Sequence, residues 1–296
     1  LFPRSPAISP PVDPVPRDEK PAATADVAII GGGIIGASAA YFLAKKGLSV
    51  ALVEKGRVAG EQSSRNWGWC RQQDRDEAEI PLIKESLRLW DSLSAEIGAD
   101  TGFRRTGLLY VTENPAELAK WERWMEYART YQLHSRLLSA AEAQAMTPGC
   151  DSKWIGGLHT ESDGRGEPSM GAPAIATAAR RAGVTIHQNC AARGLETEAG
   201  KVSAVVTEHG TIRTQRVLCA GGAWSSLFCR RHGIDLPQLT VRASVLRTDP
   251  APEVFDSGLG TPTFGIRRRL DGGYTVGFRD QVSFHITPDE IGRAHV

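Results

Sequence analysis

Ten consecutive residues at positions 60–69, GEQSSRNWGW, combine polar groups that bind phosphate with two large aromatic rings. The polar side chains are those of Gln62, Ser63, Ser64, Arg65 and Asn66. Short hydroxyls, amides and a guanidinium hydrogen-bond well to phosphates and to sugar-like hydroxyls. Trp67 and Trp69 can form an apolar wall for a small ligand, and packing in a core is the equal alternative for either indole. The segment therefore predicts contact with a phosphorylated ligand.

A glycine turn upstream supplies a site for such a ligand. Gly31, Gly33 and Gly36 form the pattern G-x-G-x-x-G between a short apolar run, DVAII, and an alanine-rich helical stretch. The first glycine permits the tight turn, the second lets backbone approach a pyrophosphate, and the third lets helix pack on strand. Glu54 ends the next strand, where a carboxylate accepts from a ribose 2′-hydroxyl and repels a 2′-phosphate. The pattern predicts a site for NAD or FAD, with a purely structural turn as the alternative.

Two further segments favour FAD over NAD. FAD extends past the pyrophosphate, so its ribityl chain and isoalloxazine need contacts beyond the glycine turn. Residues 60–69 lie on the chain that leaves the nucleotide unit, and the strand at 216–219 ends in Ala220, Gly221 and Gly222, which have little or no side chain. Such backbone can approach the same dinucleotide closely. An NAD-dependent dehydrogenase and a non-catalytic dinucleotide-binding fragment stay open as alternatives.

The elements that position these residues predict an α/β fold. Strand, turn, helix and strand follow one another from Asp26 to Glu54, which is a Rossmann-like unit. Helices are predicted at 78–97 and 115–133, where apolar residues recur at three- and four-residue spacing. Residues 239–284 alternate and turn like an antiparallel sheet.

These elements predict two interwoven domains and two terminal segments outside them. The expected boundaries are 26–97 and 151–238 for an FAD-binding domain, and 98–150 and 239–290 for an antiparallel-sheet substrate domain. Residues 1–25 are interpreted as a linker, since seven prolines in the first 21 residues keep the chain extended. Residues 291–296, IGRAHV, back-translate to a common sequencing-adapter string. We therefore expect a non-native tail and a C-terminally truncated substrate domain.

Composition narrows the class of partner. The chain has 296 residues, 41% of them hydrophobic, which is enough for two cores. Its formal net charge of +1 gives no overall field that would attract nucleic acid, so a small molecule is expected. Five widely spaced cysteines without a C-x-x-C pair predict free, mostly buried thiols. The seven histidines show no ligand spacing, so no metal is assigned.

Three stretches resemble a known enzyme family. They are GLSVALVEKGRVAGEQSSRN, the ESDG and EP parts of residues 161–168, and CAARGLETEAGKVSAVVTEHGTIRTQRVLCAGGAWS. They are similar to the FAD-dependent amine and amino-acid oxidoreductases of the D-amino-acid oxidase (DAO) superfamily, and within it to the membrane-associated bacterial L-amino-acid deaminases. The resemblance covers roughly residues 26–284 and implies a DAO-type FAD-binding domain.

The resemblance also implies roles for single residues. It places Gly31, Gly33 and Gly36 at the pyrophosphate, Glu54 at the adenosine ribose, Ser63, Ser64 and Arg65 along the phosphates and ribityl chain, Ala192 at the adenine, and Gly221 and Gly222 on the returning strand. Further assigned FAD contacts are Ile34, Lys55, Gln62, Asn66, Gly68 and Ala220. The chain departs from the deaminases at Trp67 and Trp69, so its substrate preference is expected to differ.

The implied reaction is oxidative deamination of an amino acid, with the L form favoured. Hydride passes from Cα to flavin N5, and hydrolysis then gives a 2-oxo acid and ammonia. Electrons pass on to oxygen or to an acceptor of the respiratory chain. The implied location is bacterial, at or in the inner membrane through segments outside this sequence, or otherwise the cytoplasm.

The substrate carboxylate is best held by a guanidinium, whose fork matches two oxygens. Arg279 follows the strand-like run 274–278 and aligns with the carboxylate-binding arginine of the resembling deaminases. Its rivals are Arg267, Arg268 and Arg269. Because these three are adjacent and alternate across a strand, at least one is expected to be a solvated surface charge. The alternative to a substrate-binding arginine is an ordinary surface ion pair between Asp280 and a neighbouring arginine.

Overall fold

The computed structural model of the chain describes residues 11–20 and 22–284. Its strands are β1 (Val27–Ile30), β2 (Val50–Val53), β3 (Trp69–Cys70), β4 (Arg104–Arg105), β5 (Leu108–Thr112), β6 (Ser135–Ser139), β7 (Gly156–Thr160), β8 (Gly164–Arg165), β9 (Thr185–His187), β10 (Ala192–Glu198), β11 (Lys201–Thr207), β12 (Gly210–Arg213), β13 (Val217–Cys219), β14 (Val241–Arg247), β15 (Gly258–Gly260), β16 (Phe264–Arg268) and β17 (Tyr274–Phe284). Its helices are α1 (Ile34–Lys45), α2 (Gln62–Arg65), α3 (Ile80–Ile97), α4 (Pro115–Thr130), α5 (Ala140–Ala145), α6 (Pro168–Arg181) and α7 (Ser225–Arg230), with 3-10 turns at Glu77–Glu79 and Gly222–Trp224. The predicted α/β class and its Rossmann-like start are confirmed.

The chain divides into two compact units. The first takes in the residues up to Asn66 and Pro168–Val241, and the second comprises Trp67–Glu167 and Arg242–Ser283. The sequence-based boundaries differ from this division, because they place residues 67–97 and 151–167 with the FAD-binding domain. The physical reason lies in strand pairing: β8 pairs with both β3 and β4, which ties the residues after Asn66 to those before Pro168.

The first unit is built on a parallel sheet with the strand order β13-β1-β2-β9. All four residues of β1 and of β2 are buried, as expected for strands in a sheet that is covered on both faces. A small antiparallel sheet, β10-β11-β12, adds Val205 and Ile212 to the core cluster of Ala28 and Val53. The glycine turn thus leaves a strand that is fixed by neighbours on either side.

Residues 13–18 of the Pro-rich segment lie along the first unit. They have no helix or strand, in keeping with the expected extended chain. The Asp18 amide donates to the Ile186 carbonyl at 2.8 Å, and its carboxylate accepts from Ile186 N and forms an ion pair with Arg180. The Asp13 amide also donates to the Ser169 carbonyl at 3.1 Å. This part of the predicted linker is therefore anchored along β9 and α6.

The second unit is built on a seven-stranded sheet with the order β14-β17-β16-β15-β5-β7-β6. Antiparallel pairs dominate, as predicted for its C-terminal part, but β15 pairs with β5 in parallel. Helix α4 packs on one face through its predicted apolar stripe, in which Trp121 and Ala128 are buried and Leu118 and Met125 are partly buried. The residues of β5 and β7 that meet this helix are Leu108, Tyr110 and Leu158, and Trp69 packs against the same cluster.

The five cysteines differ in burial. All five thiols are free, as predicted, but Cys190 alone among them is buried and the other four are half-buried. The expectation of mostly buried thiols is therefore wrong, because four of them lie at strand ends, on α7 or in a loop.

In the part of the chain that the structure describes, no helix is long and apolar enough to cross a bilayer.

Asp163 is a fully buried carboxylate that fixes the chain after β3. Its two oxygens accept from the amides of Gln72 at 2.7 Å and Gln73 at 3.0 Å. Burial raises the pKa of Asp163 from 3.8 to about 6, although these amide donors oppose the rise. The folded protein therefore binds a proton here that the unfolded chain has released, and the free energy of unfolding falls as pH rises from about 4 to about 6.

Replacing Asp163 with Asn should remove this pH dependence, because the amide has the same shape but no charge. The difference in unfolding free energy between the wild type and Asp163→Asn is expected to fall as pH rises through about 6, by up to roughly 3 kcal/mol in all. Urea unfolding at several pH values measures it. A difference that stays constant with pH would contradict the assignment.

Candidate functional site

The glycine turn of the first unit admits no side chain at its first and third glycines. Gly31 has a φ of +109°, and a Cβ there would collide with the Ala220 carbonyl oxygen. A Cβ on Gly36 would collide with the Gly31 carbonyl. The Ala220 amide donates to Ile30 O at 2.8 Å, so the strand that returns at Ala220 meets the turn as the sequence predicted.

Glu54 holds the turn from the end of β2. Its carboxylate accepts from Gly32 N at 2.7 Å and from Gly56 N at 2.8 Å, and the residue is 8% exposed. A carboxylate oxygen accepts more than one hydrogen bond, so each oxygen keeps capacity for a ligand hydroxyl. Sequence reasoning gave Glu54 one role, at the ligand, and missed that it also orders the turn.

Ser63 meets the N-terminus of α1. Its Oγ accepts from the Ile34 amide at 2.9 Å, and Gly33, which begins the helix, offers no side-chain cap. A Cβ on Gly33 would lie 3.0 Å from the same oxygen. The structure therefore brings together four positions that the sequence assigned separately to one ligand: Gly33, Ile34, Ser63 and, through the turn, Gly31.

The other assigned residues of the first unit are held within their own segments. Arg65 donates to the Gly60 carbonyl at 2.9 Å and pairs with Glu61, while Lys55 pairs with Glu61 and lies 3.6 Å from the centre of the Trp224 ring. Gln62 and Ser64 lie on α2, and the Asn66 side-chain amide donates to the Gln62 and Ser63 carbonyls. Ala192 packs against the core cluster that includes Ile30 of β1 and Val53 of β2. Gly221 caps the 3-10 turn after β13, and Gly222 is its first residue. Glu61 and Trp224 were missed by sequence reasoning, since neither residue type signals a phosphate contact.

In the second unit, Trp67 and Trp69 rest on a sheet surface without side chains. The two rings meet edge to face, with centroids 4.9 Å apart and planes at 76°. A Cβ on Gly277 would lie 2.5 Å from Trp67 Nε1, and one on Gly258 would lie 2.9 Å from Trp69 Nε1. A Cβ on Gly265 would collide with both indoles, whereas one on Gly260 would lie 2.6 Å from the Tyr110 ring and 3.4 Å from Trp69. We call the sheet face that carries these four glycines the glycine face.

Strand register places a cation on the glycine face. Gly265 pairs with Gly277, and Gly260 pairs with Gly265 and with Tyr110 of β5, so their positions share one face. Arg279 follows Gly277 by two residues in β17 and therefore points to the same side. Its guanidinium carbon lies 5.1 Å from the centre of the Tyr110 ring, and Nη1 donates to the Thr261 carbonyl at 2.9 Å.

The three rival arginines donate their hydrogen bonds to other groups of the chain. Arg267 is 2% exposed and donates to the Trp67 carbonyl at 2.7 Å and to Glu167 at 2.8 Å. Arg269 donates to the carbonyls of Thr248 and Tyr274 and to Asp271. Arg268 points to the opposite face, where it donates to the Ala251 carbonyl and lies 4.9 Å from the centre of the Tyr274 ring.

The expectation that at least one of these three is a solvated surface charge is wrong. The side-chain exposures of Arg267, Arg268 and Arg269 are 2%, 13% and 5%. The physical reason is that carbonyls and carboxylates from neighbouring loops cover both faces of the strand end. The side chain of Asp280, proposed as a pairing partner, lies outside the described residues.

Gly68 and Cys70 complete the segment. Gly68 has a φ of +73°, and a Cβ there would lie 2.7 Å from Arg267 Nε and 2.6 Å from the Gly166 carbonyl. Although Cys70 as a whole residue is half-buried, burial around its sulfur raises the pKa of the thiol to about 12, so the thiol stays protonated at neutral pH. Among the described residues, no group of three or more His, Cys, Asp or Glu side chains is arranged to hold a metal ion.

Comparison with known proteins identifies the family of this chain. Residues 26–295 match the family described as FAD dependent oxidoreductase, DAO. The mitochondrial sarcosine dehydrogenase of Mus musculus is 29% identical over 76% of this chain and 26% of the relative. The sarcosine oxidase subunit beta of Arthrobacter sp is 30% identical over 74% of this chain and 56% of the relative. This chain therefore spans a quarter to a little over half of these two relatives.

A solved structure agrees with the fold. The L-amino acid deaminase from Proteus myxofaciens, in complex with anthranilate, is 33% identical and superposes with a TM-score of 0.90. The match covers 98% of this chain and 66% of the deaminase chain.

The glycine face generates a prediction that needs no ligand. Gly277→Ala should displace the Trp67 indole, because the added methyl would lie 2.5 Å from Nε1. Overpacking of this kind costs about 1–3 kcal/mol of unfolding free energy. Urea unfolding measures the loss, and near-ultraviolet circular dichroism reports the ring. Gly194→Ala in β10 is the matched control, since its Cβ would have an ordinary 3.8 Å contact with His232. Equal stability of the two variants would contradict the seat proposed for Trp67.

Proposed function

Because this chain belongs to the DAO family of FAD-dependent oxidoreductases, and FAD is its cofactor, we propose that the whole protein oxidises an amino acid at FAD. The proposed reaction is oxidative deamination to a 2-oxo acid and ammonia, with the L enantiomer favoured. Similarity to sarcosine-oxidising relatives and to an L-amino acid deaminase supports this proposal. Family membership replaces the NAD-dependent dehydrogenase that the sequence left open.

The first unit fits this cofactor. Because Gly31 and Gly36 leave no room for side chains, backbone and the N-terminus of α1 stay accessible to a pyrophosphate. The first turn of α1 carries no acidic residue that would repel it. The residues proposed to hold FAD are Gly31, Gly33, Ile34, Gly36, Glu54, Lys55, Gln62, Ser63, Ser64, Arg65, Asn66, Gly68, Ala192, Ala220, Gly221 and Gly222. Gly68 has the least support, because its close neighbours are Arg267 and Gly166.

The observation that carries the proposed reaction is that Arg279, a partly exposed cation, lies on the same face of one sheet as the two indoles. Arg279 is 26% exposed at its side chain, and among the described residues no acceptor hydrogen-bonds its Nε or Nη2. Glu117 approaches Nη1 at 3.9 Å, which is too long for a strong pair. We assign Arg279 to the substrate carboxylate, and Trp67 and Trp69 to the substrate side chain.

Bound FAD supplies the hydride acceptor, so the task of the chain is to bind and orient the substrate. The Nε–H and Nη2–H of Arg279 match the two oxygens of a carboxylate, because the planar fork of a guanidinium donates two parallel hydrogen bonds. The indoles of Trp67 and Trp69 give an apolar side chain a flat surface and exclude water from it. Binding a substrate at both ends fixes the orientation of its Cα. Orientation of the reacting atoms accelerates such a reaction.

The substrate class follows from the same groups. The Proteus myxofaciens relative was solved with anthranilate, a flat aromatic ring that bears a carboxylate. That combination suits a guanidinium beside two indoles, so we propose amino acids with large apolar or aromatic side chains as substrates. The resemblance of residues 26–284 supports two further parts of the proposal, a respiratory-chain electron acceptor and a bacterial inner-membrane location.

Arg279→Met tests the assignment. The variant should keep its FAD and its melting temperature, because the guanidinium has one hydrogen bond to the described chain, to Thr261 O. It should lose about 2–5 kcal/mol of transition-state binding, read as kcat/KM, because a carboxylate would lose its charged partner. Arg268→Met removes the same charge from the opposite face and is expected to leave kcat/KM within a few fold. Near-normal kinetics of Arg279→Met toward amino acids would move the carboxylate site elsewhere.

A further inference from the structure

Arg267 is a buried guanidinium whose donors are divided between a backbone carbonyl and a carboxylate. Its Nε donates to Trp67 O at 2.7 Å, while Nη1 donates to Glu167 Oε1 at 2.8 Å. Nη2 lies 3.3 Å from Thr275 Oγ1. The guanidinium lies close to Gly68, where an added Cβ would come within 2.7 Å of Nε and 3.0 Å of Cζ. One side chain thus reaches the first two residues of the Trp67–Gly68–Trp69 turn.

Stability alone does not explain a charge in this place. Burying an ion pair costs desolvation, and a well-packed apolar pair often gives equal or greater stability. Glu167 is 7% exposed, and its carboxylate also accepts a hydrogen bond from the Leu270 amide at 2.9 Å. The position of this acceptor therefore does not depend on Arg267 alone. An apolar residue could fill the volume of Arg267, but it could not hydrogen-bond the Trp67 carbonyl.

The turn that Arg267 holds is restrained on its other side as well. The Gly166 amide donates to Gly68 O at 2.8 Å, and Trp69 pairs with Arg165 in the ladder between β3 and β8. Arg267 supplies the restraint on the Trp67 side. With both restraints in place the two indoles fall on the glycine face and meet edge to face.

We propose that Arg267 is a positioning residue that fixes the Trp67–Gly68–Trp69 turn and thereby sets which substrate side chains the enzyme accepts. This inference rests on the proposed function, in which the two indoles form the wall for the substrate side chain. Arg267 itself does not touch the substrate, since its guanidinium is enclosed by Gly68, Glu167 and Thr275.

Three single variants and one double variant separate position from charge. Arg267→Lys keeps a cation beside Glu167, but a single ammonium cannot lie flat on Gly68 and donate to Trp67 O and Glu167 together. Glu167→Gln leaves the bond from Arg267 Nε to Trp67 O in place. Arg268→Lys changes the neighbouring arginine on the opposite face and is the matched control. The double variant Arg267→Met/Glu167→Gln removes the pair without leaving an unpaired buried charge, and it replaces Arg267→Lys if that variant does not fold.

The first readout is independent of flavin and of activity. Two indoles held 4.9 Å apart at 76° give an exciton couplet in the far-ultraviolet circular dichroism of the purified 296-residue chain, and Trp67→Phe identifies it. Arg267→Lys should lose most of the couplet, whereas Glu167→Gln and Arg268→Lys should keep it. A full couplet in folded Arg267→Lys, or in the folded double variant, would overturn the positioning role whatever the enzyme oxidises.

The second readout uses the whole FAD-loaded protein. Arg267→Lys should change the ratio of kcat/KM for L-phenylalanine to that for L-alanine by ~10-fold or more, with FAD content unchanged, while Arg268→Lys keeps the wild-type ratio. A lost couplet with an unchanged ratio would overturn the link to selectivity. Failure of the wild type to oxidise any amino acid would instead overturn the proposed function and leave the couplet result standing as the test of position.

Discussion

The absence of side chains from part of one sheet face is the constraint on which the second unit depends. Gly258, Gly260, Gly265 and Gly277 come from three neighbouring strands. An added Cβ would collide with an indole at Gly258, Gly265 and Gly277, and with the Tyr110 ring at Gly260. Two indoles can lie directly on a sheet only where the residues beneath them have no side chains. The turn that carries the rings, its anchor Arg267 and the exposed donors of Arg279 are all arranged around that surface. The glycines of β15, β16 and β17 are therefore part of the proposed substrate site, although none of them carries a reactive group.

The first unit uses the same device for a different purpose. At Gly31 and Gly36 the missing Cβ lets backbone approach backbone, which brings the strand returning at Ala220 against the turn after β1. Glu54 and Ser63 then take up amides of the turn and of the first helical residue. The result is a surface of backbone and small side chains, which suits a phosphate ligand, whereas the second unit offers flat rings and a cation, which suit an amino acid. The family match assigns FAD to this chain, and the proposed function assigns the second surface to the substrate.

The elements of the first unit could be predicted from the sequence because their signals are local. The spacing of Gly31, Gly33 and Gly36 between two apolar strands specifies the turn, and Glu54 follows from its place at a strand end. The glycine face could not be predicted in this way, since its glycines lie up to 19 positions apart and share a face only through strand register. The same cause explains the arginines. Arg268 looks like a surface charge in the sequence, yet Tyr274 and the Ala251 carbonyl, which are distant in sequence, cover it. The change of unit after Asn66 likewise depends on the pairing of β3 with β8.

Anaerobic reduction of the bound flavin tests the central claim most directly, because it asks whether an amino acid reduces the FAD of this protein. The whole protein would be purified with FAD and mixed, without oxygen, with paired L- and D-amino acids while the flavin absorbance is followed. The account predicts bleaching by L-amino acids that have large apolar or aromatic side chains, and slower or no bleaching by their D enantiomers. A flavin that dithionite bleaches but that no amino acid of either hand reduces would contradict it.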